Sequence, residues 1–149
     1  MSLDYLVIGH VTKDIVPDGY VLGGTVSFSS LTAKALGRSA AVLTCCEALP
    51  DLSEYFEGIA FHRIPAATTT TFENVYTASD RTQHIRAVAP PLAVDSVPPE
   101  WRRPLVAHLG PVAQEVPPEI ADLFDPSTVI GVTPQGWLRT WDERGLVQP

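Results

Sequence analysis

Two features of the sequence bring together residue types suited to chemistry. The first is Gly23-Gly24, directly before a stretch from Thr25 to Leu36 whose composition predicts a helix. Backbone N–H groups at a helix start can meet anions or hydroxyls, and glycine lets a ligand reach the main chain. The second is Asp14, five residues past Gly9. Gly9 closes the apolar run Asp4-Tyr5-Leu6-Val7-Ile8-Gly9, which reads as a buried strand. In open α/β sheets ligands bind beyond the carboxyl ends of the strands. A carboxylate placed there accepts hydrogen bonds from two hydroxyls of a polyol. A tight turn is the ordinary use of a Gly-Gly pair, and a solvated loop is the ordinary place for an aspartate. Neither feature names a function alone.

Other chemistries lack their residues. There is no Gly-x-x-x-x-Gly-Lys-Ser/Thr phosphate loop, no Gly-x-Gly-x-x-Gly run and no Gly-x-Ser-x-Gly elbow. His10, His62, His84 and His108 are too scattered to suggest a metal site by spacing. Cys45 and Cys46 are adjacent, which disfavours a mutual bridge, and they read as buried residues of a strand.

The elements that must position Asp14 and the glycine pair follow from pattern. Strands are expected at Asp4–Gly9, Ala40–Cys46, Ile59–Ile64, Leu105–Leu109 and Thr128–Thr133, all short apolar runs. Helices are expected from Thr25 to Leu36, with Gly37 at its end, from Asp51 with Glu54 as capping-box partner, and from Pro118 to Phe124. This alternation predicts βαβ units and a mainly parallel, Rossmann-like sheet. Two segments break the rhythm. Residues 14–22 carry the turn signal Pro17-Asp18-Gly19, and residues 68–88 form two extended pieces around Ser79-Asp80-Arg81. They are expected to form a small β lid. Pro90–Pro91, Pro98–Pro99 and Pro117–Pro118 punctuate loops. The tail from Gln135 to Pro149 reads as irregular, with no closing helix, as if the sheet were cut short.

Bulk properties narrow the partners. The 149 residues suffice for one domain, and 45% hydrophobic with 18% charged residues is an ordinary globular balance. A net charge of −7, with no basic cluster beyond Arg102–Arg103, does not suit a nucleic-acid backbone or an anionic membrane surface. No apolar run approaches the roughly 20 residues of a membrane span, and the start lacks a basic signal-peptide region. A cytoplasmic protein is expected.

Taken in order, these features resemble the PfkB, or ribokinase-like, family of carbohydrate kinases, over its N-terminal portion. The resemblance covers nearly the whole chain. Asp4 to Asp14 (Asp-Tyr-Leu-Val-Ile-Gly-His-Val-Thr-Lys-Asp) is similar to the family's opening strand and substrate-binding aspartate. Gly23 to Gly37 is similar to its Gly-Gly-led helix ending in Leu-Gly. Thr70 to Tyr76 and Gln83 to Ile85 resemble the strand pair that follows, and His108 to Val112 a later strand end facing the substrate. Thr133-Pro134-Gln135-Gly136-Trp137-Leu138-Arg139 is similar to a segment of a subgroup near the myo-inositol kinases. Two departures stand out. Phe28 occupies a position where the family usually has asparagine, which puts ribose specificity in doubt. The family's Asp-Thr-x-Gly-Ala-Gly-Asp motif, which carries the catalytic base and phosphate-stabilising glycines, is missing from these residues.

The resemblance implies ATP-dependent phosphate transfer to a hydroxyl of a sugar, nucleoside or cyclitol. It implies Asp14, Gly23 and Gly24 as substrate contacts, and no catalytic or metal-binding residue in this stretch. ATP and Mg2+ would belong to the full-length parent, with the nucleotide-binding half absent here and no cofactor expected on this chain alone. Lid strands of the family close over substrate and sometimes pair between subunits, so a homodimer is an expected possibility. The rival is a non-catalytic α/β binding or interaction module, in which Gly23-Gly24 takes a small anion or nothing.

Overall fold

A computed structural model describes residues 2–149. It is mixed α/β, built on one five-stranded parallel sheet. Its strands are β1 (Tyr5–Ile8), β4 (Ala40–Cys46), β5 (Ala60–Pro65), β8 (Val106–Leu109) and β9 (Val129–Val132), in the order β5-β4-β1-β8-β9. β4 is buried along all seven residues, as a strand covered on both faces must be, and its sequence accordingly shows no polar alternation.

Side chains alternate across this sheet and divide the core in two. Leu6, Ile8, Ala41, Leu43, Ala107 and Leu109 point to one face, where Leu92, Val97, Val116, Ile120 and Phe124 from the long connections cover them. Val7 and Val42 point to the other face, beneath α1 (Thr25–Ala35) and Phe56. The adjacent cysteines obey the same alternation: Cys45 joins the first cluster and Cys46 the second. Both are free thiols, and burial pushes Cys46 up to about 11.

Helix α1 ends as its sequence predicts. Gly37 takes φ +74°, its N–H donates to the Lys34 carbonyl at 2.9 Å, and the Arg38 N–H donates to the Ala33 carbonyl at 3.0 Å. This is a Schellman turn. The helix α2 (Leu52–Tyr55) departs from expectation: Asp51 makes no side-chain cap bond. Its backbone is already helical (φ −91°, ψ −5°), whereas a capping side chain needs an extended backbone to fold back. The Asp51 carboxylate instead accepts the Tyr20 hydroxyl at 3.2 Å.

The two segments that interrupt the βαβ rhythm form one second sheet. β2 (Thr12–Val16) and β3 (Gly19–Gly23) are a hairpin, β6 (Thr70–Tyr76) and β7 (Arg81–Ala87) are another, and β2 pairs parallel with β6. The order is β3-β2-β6-β7. This sheet springs from the carboxyl end of β1, so it overhangs that edge of the main sheet.

The tail corrects the sequence reading. It is ordered into α3 (Gln135–Leu138), β10 (Thr140–Trp141) and β11 (Val147–Gln148), the last two pairing antiparallel. Leu146 bridges to His84 on β7, and the Ile85 N–H donates to the Gly145 carbonyl at 2.7 Å. Gly145 sits at φ +79°, and a Cβ there would strike the Ile85 carbonyl, so only glycine fits that approach. The signal was too local to read, because two-residue strands carry no periodicity.

Candidate functional site

Where the two sheets meet, a cavity of about 210 Å³ opens at the carboxyl ends of the central strands. β2 supplies Thr12 and Asp14, the start of α1 supplies Gly24, Thr25 and Phe28, and β6 and β7 supply Phe72, Asn74, Arg81 and Gln83. The loop after β8 contributes Val112, and the tail contributes Gln135 and Arg139. The volume is below the roughly 300–1,000 Å³ of drug-sized pockets and suits one small molecule.

Asp14 is half-buried on the wall made by β2. Burial raises its carboxyl above the usual range, while the Thr12 hydroxyl and the positive charge of Arg139 pull it back. Thr12 donates to Asp14 Oδ1 at 3.1 Å, which fixes one oxygen and leaves the carboxylate acceptor capacity for a ligand. Gly23 pairs with Thr12 across the hairpin, and a Cβ on Gly23 would fall on the Asp14 carboxylate. Gly23 thus lies behind Asp14 and gives it room, while its neighbour Gly24 lines the cavity itself. Gly24 has φ +89° and abuts the His10 carbonyl, a combination that rejects a side chain.

Two buried polar residues hold this geometry. Glu115 is 2% exposed, and its carboxylate accepts the N–H groups of His10 at 2.9 Å, Val112 at 2.9 Å and Ala113 at 2.7 Å. It therefore ties the loop after β8 to the chain leaving β1. His10 is fully buried; its Nε2 lies 2.9 Å from the Pro90 carbonyl and its Nδ1 2.7 Å from Thr70 Oγ1. A carbonyl only accepts, so Nε2 carries the proton and Nδ1 accepts from the Thr70 hydroxyl. Thr70 Oγ1 in turn accepts the Ala89 N–H at 3.0 Å. The network pins β6 to the end of β1, and burial lowers the affinity of His10 for a second proton.

Arg139 lines the same cavity as Asp14. Its Nη1 donates to the Val112 carbonyl at 3.1 Å, and its guanidinium lies 5.2 Å from the Phe72 ring centre. Burial and the nearby Arg81 both lower its pKa, while Glu115 and Asp14 raise it. Arg139, Arg81, Asn74, Gln83 and Gln135 were not singled out as site residues from sequence. Part of this was readable: Phe72 and Asn74 share one face of β6, and Arg81, Gln83 and Ile85 share one face of β7, with Asn74 opposite Gln83. Gln83 donates to Asn74 Oδ1 at 3.1 Å. Phe28, which stands where the family usually has asparagine, lines the cavity and remains 62% exposed.

A second depression of about 800 Å³ lies beside this cavity. It runs between α1 and the same face of β8, with Phe28, Leu36, Leu105 and Val106 on its walls. Tyr5 and His108 are hydrogen-bonded within it, and His108 Nε2 meets Thr133 Oγ1 at 2.9 Å. Its lining is chiefly apolar, in contrast to the charged smaller cavity. No helix among the described residues is long and apolar enough to cross a membrane.

No protein-family model matches the sequence, and no curated protein matches it by sequence. Solved structures do match in three dimensions. A pyrophosphate-dependent kinase in the ribokinase family, complexed with a pyrophosphate analog and myo-inositol, superposes with a TM-score of 0.73 at 22% identity over 95% of this chain. A pyrophosphate-dependent myo-inositol-1 kinase converted into a myo-inositol-3 kinase gives 0.74 at 21% identity over 95% of this chain. Arabidopsis thaliana ribokinase, complexed with ribose and ATP, gives 0.59 at 12% identity over 89%. This chain covers 53%, 51% and 53% of those chains respectively, so it spans about half their length. The shared feature is the fold, that of ribokinase-family kinases.

Proposed function

We propose that this chain is the acceptor-binding part of a kinase that transfers phosphate from ATP to a hydroxyl of a sugar, nucleoside or cyclitol. The observation that carries the reading is the position of Asp14: a half-buried carboxylate at the strand ends, in a cavity roofed by a second sheet, within a ribokinase-like fold. Asp14 accepts hydrogen bonds from two acceptor hydroxyls, and Gly24 lets the substrate approach the main chain at the start of α1. Gly23 contributes by keeping Asp14 in place. The second sheet acts as the lid. Held over the acceptor, it excludes water that would otherwise take the phosphoryl group.

Nothing in the cavity besides Asp14 is a carboxylate, and Asp14 is engaged with the acceptor in this reading. The base and the donor site belong to sequence outside these residues. Among the described residues no group of three His, Cys, Asp or Glu side chains is placed to hold a metal ion. A homodimer, if formed through the lid, would use the outer edge of β3, because the tail meets β7. The test is phosphate transfer from ATP, and from pyrophosphate, to a panel of sugars, nucleosides and inositols. The 149-residue chain should show no turnover. Turnover abolished by Asp14→Ala would show instead that these residues suffice for catalysis.

A further inference from the structure

The charges around the cavity are lopsided. The chain as a whole has 17 acidic and 10 basic residues, yet the cavity holds two guanidinium groups, Arg81 and Arg139, against one carboxylate, Asp14. Ion pairs elsewhere use other cations: Lys13 with Glu47 at 2.8 Å, Arg86 with Glu73 at 2.7 Å and Arg103 with Asp125 at 3.6 Å. Neither Arg81 nor Arg139 has a carboxylate within 4.0 Å among the described residues.

Asp14 and Arg139 face one space without closing on each other. Each is restrained from its own side, Asp14 by Thr12 and Arg139 by the Val112 carbonyl and the Phe72 ring. The gap between them is therefore built in. Two guanidiniums lining one cavity repel, and Arg139 feels it: after burial, the charge of Arg81 also lowers its pKa. An anion set between them relieves that repulsion and accepts their forked donors in pairs.

We infer that the acceptor is a polyol bearing an oxyanion, a phosphate or a carboxylate, with Arg139 and Arg81 on the anionic group and Asp14 on hydroxyls at the other end. The proposal rests on the acceptor-site reading above and adds the substrate class. The Asn74–Gln83 amide pair lines the same cavity and offers groups suited to hydroxyls of either polarity. The space, about 210 Å³, is of the size for one small sugar- or cyclitol-sized molecule.

The test is calorimetric titration of the 149-residue chain at low salt with matched pairs: myo-inositol against a myo-inositol monophosphate, and glucose against glucose 6-phosphate and against glucuronate. Phosphate and pyrophosphate alone complete the set. At least one anionic member should bind tenfold or more tightly than its neutral partner. Whether that member is a phosphate or a carboxylate identifies the anion. Arg139→Gln should shrink the preference to within about twofold. Arg81→Gln, at an exposed position that tolerates change, should reduce it in the same direction. Equal binding of neutral and anionic partners, lost on Asp14→Ala, would overturn the anion and leave the acceptor site standing. A preference untouched by both arginine variants would overturn it as well. Tight binding of pyrophosphate alone, not displaced by any polyol, would assign the arginines to the donor instead. No Asp14-dependent binding of any polyol would remove the acceptor site itself.

Discussion

At the scale of single residues, Asp14 and Glu115 show how one side-chain type serves two ends. Asp14 keeps acceptor capacity facing a cavity; Glu115 spends both oxygens on the main chain. Hydrogen bonds to a charged group contribute about 1.5–3 kcal/mol each. With two such bonds, Asp14→Ala should therefore weaken acceptor binding roughly 10²- to 10⁴-fold, since about 1.4 kcal/mol is a factor of ten. Asp14→Asn should fall between. Circular dichroism and the urea midpoint should hardly change, because the residue is only half-buried and makes one side-chain bond. A lost fold in Asp14→Ala would make Asp14 a structural residue. Glu115→Ala should do the opposite. It leaves three buried N–H groups unmet, at about 1–3 kcal/mol each, so unfolding free energy should fall by at least about 3 kcal/mol. An unchanged midpoint would mean that water replaces the carboxylate.

At the scale of elements, the joint between the two sheets depends on neutral His10. Burial lowers its pKa from the ordinary value of 6.5, and burial does the same to His108 under the tyrosine of β1. A histidine with a depressed folded pKa stabilises the fold fully above its unfolded value near 6.5. That stability is lost as the pH falls from there toward the folded value, because the unfolded chain then binds more protons. The urea midpoint should fall between pH 7.5 and pH 5.5. A midpoint that rose on acidification would contradict the assignment of His10 as a buried neutral residue.

The same joint marks how far the sequence could be read. Apolar runs such as Ala40–Cys46 and the Gly37 stop of α1 were legible because they rest on local pattern and backbone sterics. The parallel pairing of β2 with β6 was not, since it joins residues 58 apart by number, as Thr12 with Thr70. The cavity's cations were hidden for a related reason. Arg139 reaches it only because the tail folds back on β7, a consequence of tertiary contacts. Asp51 and Glu54 had the right types for a capping box, but the incoming backbone conformation forbade it.

At the scale of the whole molecule, helix α1 covers only part of its side of the main sheet. Phe28 at 62%, Leu36 at 73% and Leu105 at 57% remain exposed around the depression there. Exposed apolar area of this extent drives association. The purified chain should scatter light increasingly with concentration, and Leu36→Lys combined with Leu105→Lys should suppress this. A wild-type chain that stays monomeric at high concentration would show that this face tolerates water.

The proposed function requires that the small charged cavity, not the larger apolar depression, receives the polyol acceptor. Amide chemical-shift mapping of the labelled chain during titration with cyclitols and sugars, neutral and anionic, reads this directly. The expected shifts cluster at Asp14, Gly24, Asn74, Gln83 and Val112, which line the cavity. They should vanish in Asp14→Ala. Shifts confined to Thr32, Leu36, Arg38 and Leu105, around the apolar depression, would contradict the claim.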